Sequence, residues 1–422
     1  MRSMTLVAFT TAITVAAGLP AQAQAPSVDQ QMKIFVAPPA VPTPITIHAG
    51  ELIDGTGKVM RDMTVTVLGT KITGLKAGRP AQPTYDFARL TVLPGLIDSH
   101  VHITAHFNDE GRATDKEESG EQRGLKWSEN AYATLMGGFT TVQSIGSDED
   151  YPLRKAIAGG RLPGPRLLTS GQPIGDPKMT PEEIRAFVRK TKANGADVVK
   201  IFASKSSREG GAPTMTDAQM AAACGEAKKI GIRTWVHAHA AAAVRQAILA
   251  GCHAITHARF VTQSELDLAV QRGVYIEPSW GVVQQNYLAH QPNYEGLGNY
   301  TKEAFAEMRR YQPSTPAVWR MMLATKGLKL LSGGDTNAGA EGHNVEELVW
   351  RVHNGQKPMD AITIATSRDA EATGLKAVTG TIAPGMEADI IAVDGNPLTD
   401  ITALRKVVFV MKGGTVYKNV AP

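Results

Sequence analysis

Between residues 95 and 375 short apolar runs alternate with stretches whose apolar positions recur at helical spacing. The runs fall at 95–102, 139–142, 166–168, 198–202, 234–237, 254–257, 274–278 and 328–331. Runs this short and this apolar, bounded by turn residues, read as buried strands. Helical stretches lie between them, at about 127–137, 181–193, 216–230 and 240–250. Thr180 supplies an N-cap and Pro181 a first helical residue, while Gly231 and Gly251 stand where helices stop. Eight strands in strict alternation with helices predict an α/β fold, a parallel (β/α)8 TIM-like barrel.

The two ends of the chain carry a different pattern. Residues 45–50 and 63–68 alternate apolar and polar side chains around a turn at Asp54-Gly55-Thr56-Gly57. The C-terminal 388–393 and the hairpin-like 407–417 resume the same style. These ends predict a small β-sandwich domain assembled from 45–94 and 376–422, flanking a barrel at 95–375. His48, in the first of these strands, reads as a surface residue. Ahead of the sandwich, Arg2, an apolar run over 4–19 and the small-residue stretch Ala21-Gln22-Ala23-Gln24-Ala25 read as a signal peptide, residues 1–25, cleaved after Ala23 or Ala25. The run is short for a membrane span and no stop-transfer charges follow. Residues 26–44, rich in Pro, Ala and Gln, read as a linker. The expectation is a secreted, periplasmic protein with no membrane segment once the signal is removed.

Composition narrows the function classes. With 43% hydrophobic and 20% charged residues, a chain of 422 can bury the core of a large enzyme. Forty-four basic against 40 acidic residues leave a net charge of +4 and no basic stripe, which argues against a nucleic-acid partner. Two cysteines are no disulfide framework; Cys224, on a predicted helix, and Cys252, just before a predicted strand, are expected to be free and buried.

The chemistry gathers at strand ends. In Leu93-Pro94-Gly95-Leu96-Ile97-Asp98-Ser99-His100-Val101-His102 the two histidines are one residue apart, so a strand projects both to one face. Neutral imidazole is a good ligand for zinc and its neighbours. The ends of the later strands give Lys200, His237, His257 and Asp335. A lysine ending a buried strand is costly as a bare charge, and burial favours its neutral amine. That amine can take up carbon dioxide to form a carbamate able to bridge two cations. The plainer reading of Lys200 is a salt bridge to Asp335 or Glu277. Functional groups of barrels collect at the C-terminal ends of strands, so the six together predict an active site.

With these motifs in view, the chain resembles the amidohydrolase superfamily, and within it the imidazolonepropionase-like branch that includes metal-dependent Xaa-Pro dipeptidases. The resemblance rests on the His100-Val101-His102 stretch, Gly195-Ala196-Asp197-Val198-Val199-Lys200-Ile201-Phe202, Val236-His237-Ala238-His239, Ile255-Thr256-His257, Gly333-Gly334-Asp335 and Gly385-Met386-Glu387-Ala388-Asp389-Ile390, and runs from about residue 45 to the end. It implies two divalent metal ions, usually zinc. His100, His102 and Asp335 would hold one, His237 and His257 the other, with carbamylated Lys200 between them. It implies further that Asp335 shuttles the proton in hydrolysis of a C–N amide or peptide bond, and that His239 faces substrate. Two positions depart from the pattern. Thr214-Met215-Thr216 stands where many relatives have a tyrosine that polarises the substrate carbonyl, and Thr256 where relatives often have Glu.

Weaker candidates surround this set. Trp280, Tyr287, Tyr294 and Tyr300 lie in a long insertion after the seventh strand, and Tyr287 is taken as a substrate contact. His343 reads as a cap for the following helix. The charged stretch 108–126 reads as a mobile loop whose Arg or Lys can meet a substrate carboxylate. The expected partner is a small amide or dipeptide, and a homo-oligomer is compatible with the pattern. The alternatives are a one-metal cyclic amidohydrolase or deaminase, against which Lys200 argues, and a non-catalytic binding descendant, against which the full ligand set argues.

Overall fold

The computed structural model describes residues 43–114 and 116–421. The expected signal peptide and all but two residues of the expected linker lie outside the described residues. Four strands come first: β1 (Ile45–Ile53), β2 (Val59–Leu68), β3 (Lys71–Ala77) and β4 (Tyr85–Pro94). After Gly95 the barrel strands follow: β5 (Leu96–Val101), β6 (Phe139–Ser144), β7 (Arg166–Thr169), β8 (Val198–Phe202), β9 (Arg233–Ala240), β10 (Ala254–Phe260), β11 (Tyr275–Glu277) and β12 (Lys329–Leu330). The chain closes with β13 (Ile390–Val393), β14 (Val407–Lys412) and β15 (Thr415–Asn419).

All eight expected barrel strands form, and neighbours pair in parallel as β5-β6-β7 and as β8 through β12. Two seams join these sheets into a ring. Beyond β7, the Ile174 N–H donates to the Lys200 carbonyl (2.9 Å) and the Ile174 carbonyl accepts from the Phe202 N–H (2.8 Å). Beyond β12, residues 332–336 run along β5: the Ser99 N–H donates to Ser332 O (3.0 Å), Asp335 N–H to His100 O (2.7 Å) and His102 N–H to Thr336 O (2.8 Å). The second seam therefore lays Asp335 directly against His100, in β5, and His102, just past its end.

The helices start and stop where local chemistry dictates. Thr180 caps Pro181–Ala193 in a capping box with Glu183, and Thr216 caps Asp217–Ile230 with Gln219. Gly231 ends the latter in the left-handed conformation. The first barrel helix begins earlier than its apolar spacing suggests, at Gly120 rather than about 127, because Ser119 and Gln122 form a capping box. The expected mobile loop at 108–126 is thus partly helix. Its start is tied down as well, by the Ala113 N–H to Asn293 O (3.0 Å) and by Arg112 to the carbonyls of Pro292 and Glu295.

Both chain ends build one sheet of order β15-β14-β13-β4-β1-β2-β3. The expected sandwich is this sheet bent on itself: at its far end, the Ile72 N–H donates to Met386 O (2.9 Å) and the Ala388 N–H to Thr70 O (2.8 Å), on the approach to β13. Phe87 and Phe409 meet across its core, ring centroids 4.9 Å apart. Asp389, from the family-like tail motif, fastens the sheet to the barrel by accepting from Arg166 (2.7 Å), Thr379 (2.8 Å) and the Gly413 N–H (2.8 Å).

Two expectations are corrected. His48 is buried, with its ring nitrogens on Asp86 (2.6 Å) and Asp62 (2.9 Å), because β1 lies between β2 and β4. Cys224 and Cys252 are joined in a disulfide, their Cα atoms 5.0 Å apart. Pairing from sequence failed because contact between the helix Asp217–Ile230 and the turn before β10 is set by the barrel's curvature, which spacing does not encode.

Candidate active site

The C-terminal ends of β5, β8, β9 and β10, with the segment after β12, converge on one cavity of about 430 Å³. His100, His102, Lys200, His237, His239, His257, Tyr287 and Asp335 all line it. Ligand-type atoms gather in two groups. His100, His102 and Asp335 form one, and His237, His239 and His257 the other, with the atoms of each group within 4.8 Å of one another. Asp335 Oδ1 lies 3.3 Å from His100 Nε2 and 3.1 Å from His102 Nε2. Lys200 Nζ lies 3.2 Å from His100 Nε2. His239 is as close to its neighbours as they are to each other, with ring centroids 4.6 Å from His237 and 4.7 Å from His257.

The electrostatics suit cation binding. Burial, then the charge of Lys200 and the neighbouring groups, pushes His100 and His237 well below the usual histidine range. Burial likewise pushes down His239 and His257, which also crowd one another. These imidazoles are neutral, the ligating form. Burial lowers the Lys200 amine to about 8. Lys200 is 1% exposed, and its hydrogen bond runs to His100 rather than to Asp335 or Glu277, so the plain salt-bridge reading is not realised. Burial favours the neutral form of Asp335, but His100, His102 and Lys200 outweigh it and hold the carboxyl below its ordinary value. His239 Nδ1 is buried without a hydrogen-bond partner. Neutral imidazoles beside a carboxylate are the donor set of a metal centre, and the unpartnered His239 nitrogen leaves that ring free to meet a ligand.

Backbone strain aims these groups. His257, Ala258, Ser279 and Asp335 all have positive φ (73°, 45°, 51° and 49°) without being glycine. Such conformations cost about 1–3 kcal/mol each and collect at functional sites. Gly333 and Gly334 are required for a different reason. A Cβ on Gly333 would lie 2.3 Å from the Glu277 carboxyl carbon, and one on Gly334 2.9 Å from Asp98 Oδ2.

Those two carboxylates are site residues that sequence reasoning missed. Glu277, fully buried at the end of β11, accepts from His100 Nδ1 (2.9 Å) and Trp235 Nε1 (2.8 Å). It fixes the tautomer that leaves His100 Nε2 facing the cavity. Asp98 accepts from the backbone of His100 (3.0 Å) and Gly334 (3.0 Å) and from Asn344 Nδ2 (2.8 Å), clamping the second seam; burial pushes its carboxyl up to about 7. The signal for Glu277 was present, an acid closing an apolar run like the six others. Arg208 and Arg259 also line the cavity and were not foreseen.

The weaker expectations divide. Tyr287 and Tyr300 reach the cavity wall, whereas Trp280 and Tyr294 are each 2% exposed, Tyr294 bonded to Ala338 O (2.6 Å). Arg112 and Arg123, from the 108–126 stretch, serve other partners: Arg112 the carbonyls of the 290s, Arg123 the Glu149 carboxylate (2.8 Å). His343 does not cap. The N-cap position of Val345–His353 is Asn344, which makes no side-chain cap and spends its amide on Asp98. Thr214, at the family's tyrosine position, lines the cavity, and Thr256 is buried in the strand, its hydroxyl 3.4 Å from Val236 O.

Comparison with known proteins agrees with this geometry. Ochratoxinase of Aspergillus niger is 28% identical over 88% of this chain and 86% of its own length. A crystal structure of a Xaa-Pro dipeptidase with bound methionine in the active site superposes with a TM-score of 0.80 at 30% identity, covering 89% of this chain and all of that one. The crystal structure of A. niger ochratoxinase shares the fold at a TM-score of 0.76 and 23% identity, over 90% of this chain and 96% of that one. Residues 91–417 match the amidohydrolase family. The chain therefore belongs to the amidohydrolase family, hydrolases of carbon–nitrogen bonds, as its strand-end motifs implied.

Proposed function

We propose that this enzyme hydrolyses the amide bond of a dipeptide or N-acyl amino acid with two divalent cations, zinc foremost. The supporting observation is the meeting of two ligand groups around a buried lysine that bonds to His100 and, among the described residues, forms no ion pair with a carboxylate. His100, His102 and Asp335 would hold one cation, and His237 and His257 the other. Lys200, as the neutral amine, would add carbon dioxide with loss of a proton, and the resulting carbamate would supply a carboxylate between the two ligand groups. When bound, the cations polarise a carbonyl and let water ionise near neutral pH.

The protein's own groups do the rest. Asp335 takes the proton of the attacking water and passes it to the leaving nitrogen. His239 faces the substrate carbonyl and stabilises charge developing on its oxygen. Tyr287, in the outer wall, contacts the side chain of the substrate. The cavity volume of about 430 Å³ suits a ligand of dipeptide size. The similarity to a Xaa-Pro dipeptidase that carries methionine in its active site supports an amino-acid moiety in this pocket. We also propose export to an oxidising compartment, which the disulfide between Cys224 and Cys252 favours.

The test is a screen of dipeptides and N-acyl amino acids against metal-analysed protein, repeated with Asp335→Asn. Turnover of this class, with Asp335→Asn losing on the order of 100-fold or more while still folded, is expected. Full activity in that variant, or a protein inert toward the whole class, contradicts the proposal.

A further inference from the structure

The loop after β8 and the insertion after β11 meet at the cavity. In the ring, β9 and β10 lie between these two strands, so the contact spans the strand ends that carry His237, His239 and His257. Its parts all line the cavity: Ser207, Arg208 and Glu209 on one side, Asn299, Tyr300 and Tyr311 on the other. Ser207 Oγ lies 2.8 Å from Tyr311 Oη, and Arg208 stacks on the Tyr300 ring at 4.0 Å. Asn299, exposed to solvent, ties the rest together. Its Oδ1 accepts from Arg208 Nε (3.3 Å) and Nη2 (2.7 Å), and its Nδ2 donates to Glu209. One carboxamide answers a cation and an anion at neighbouring positions, because it carries both an acceptor and a donor.

The two sides are not built alike. The loop after β8 is pinned at its base, with the Lys205 N–H donating to Ala212 O (2.9 Å) and the Thr214 N–H to Ala203 O (2.9 Å). Gly211 lies so near the site that a Cβ there would fall 2.5 Å from the His239 Cβ. The tip of the insertion closes on itself instead. The Gly296 N–H donates to Tyr300 O (2.9 Å), Leu297 N–H to Tyr294 O (3.0 Å) and Tyr300 N–H to Leu297 O (2.9 Å). Gly296 and Gly298 both hold positive φ (90° and 53°), a freedom that lets the turn change course. Among the described residues, the hydrogen bonds that residues 296–299 make beyond their own turn are those of the Asn299 side chain. A turn that keeps its bonds internal and meets its surroundings through one exposed side chain opens without disturbing the core.

We propose that Asn299 is the latch of a strap that closes the catalytic cavity, and that residues 296–299 swing clear of Arg208 and Glu209 to admit substrate and release product. With the latch made, the strap screens His237, His239 and His257 from bulk water, which strengthens every electrostatic interaction beneath it. The gate does not depend on which bond is cut. It draws on the amide-hydrolase reading only for one of its two assays.

The experiment ties the strap down and then frees it. Glu209→Cys and Asn299→Cys are combined and joined by a short bifunctional methanethiosulfonate, which a mild thiol reductant removes. Both native cysteines are bonded to each other and take no reagent. Wild type and the two single variants, treated alike, control for reagent and reductant. Access is read without any reaction of substrate: diethyl pyrocarbonate acylates neutral imidazole, and mass spectrometry follows the label on His239, which lines the cavity and is 5% exposed. Turnover of N-acetyl-L-methionine is followed in parallel. With the bridge in place, labelling of His239 and kcat/KM are each expected to fall on the order of 10-fold or more, and both return when the bridge is cut. Asn299→Ala, which removes the latch, and Asn299→Asp, which sets a second carboxylate against Glu209, label faster than wild type. Labelling of His239 that ignores the bridge overturns the proposal whatever turnover does, as does a folded Asn299→Ala that labels no faster than wild type. Labelling that follows the bridge in a protein that cleaves no amide of the class keeps the strap and overturns the hydrolase reading. Equal amide turnover and equal labelling in bridged and unbridged enzyme do the reverse.

Discussion

Replacing Glu277 with glutamine asks whether His100 is held in place for a cation. One carboxylate oxygen of Glu277 takes His100 Nδ1 at 2.9 Å and the hydroxyl of Ser279; the other takes Trp235 Nε1 at 2.8 Å and the Ser99 hydroxyl at 3.3 Å. A carboxylate accepts from all four, whereas a carboxamide offers one accepting oxygen and one donating NH2. With its oxygen toward His100, the amide N–H faces the indole N–H of Trp235. Turned the other way, it faces His100 Nδ1 and drives the imidazole proton to Nε2, the nitrogen beside Asp335 and Lys200. Outer partners of this kind are worth about 10- to 100-fold in metal affinity, or about 1.4 to 2.7 kcal/mol. Leaving one buried donor unsatisfied costs about 1–3 kcal/mol of stability, within what a domain of this size tolerates. The assay is chelator competition with bound metal counted by emission spectroscopy, alongside a denaturant curve to establish folding. A folded Glu277→Gln that binds both ions as tightly as wild type would refute the tautomer argument.

Other perturbations test the frame. Removing the disulfide with Cys224→Ser and Cys252→Ser frees a loop spanning 28 positions, with an expected loss of about 3–4 kcal/mol in denaturant unfolding; an unchanged midpoint would show the bridge absent or idle. Asp150, buried against Thr169 (2.8 Å) and Ser144 (3.0 Å), is pushed up to about 7 by burial. Its folded pKa lies above its unfolded one, so its contribution is full below pH 4 and is lost as pH rises toward 7. Asp150→Asn should therefore gain on wild type in thermal unfolding between pH 5 and pH 8; a constant difference across that range counts against it. Asp389→Ala strips the buried carboxylate from Arg166, Thr379 and the Gly413 N–H, and about 3 kcal/mol of stability should go with it. A neutral effect in the same unfolding measurement would mean that the sheet is fastened to the barrel by apolar packing alone.

Much of the architecture was legible because a parallel barrel writes itself as buried strands and capped helices. Thr180, Pro181, Thr216 and Gly231 act as their residue types predict. The site was legible for the same reason: each of its principal groups ends an apolar run, and strand ends share one face of the ring. The groups that orient them were harder to see. Glu277 and Asp98 act through tertiary contacts, with Asp98 reaching Asn344 across 246 positions of chain. Arg259 lies within β10 at the β-bulge between His257 and Phe260, which redirects side chains in a way alternation does not forecast. The Cys224–Cys252 bridge and the burial of His48 depend on neighbours brought in by topology, so local pattern misread both.

The measurement that bears most directly on the whole account is the number of divalent ions per folded chain, taken on wild type and on Lys200→Ala after reconstitution with zinc and bicarbonate. Two ions in the wild type, falling to one or none without the lysine, is the predicted result. A wild type that holds fewer than two, or a variant that keeps both, would contradict the claim that Lys200 joins the two ligand groups into a single centre.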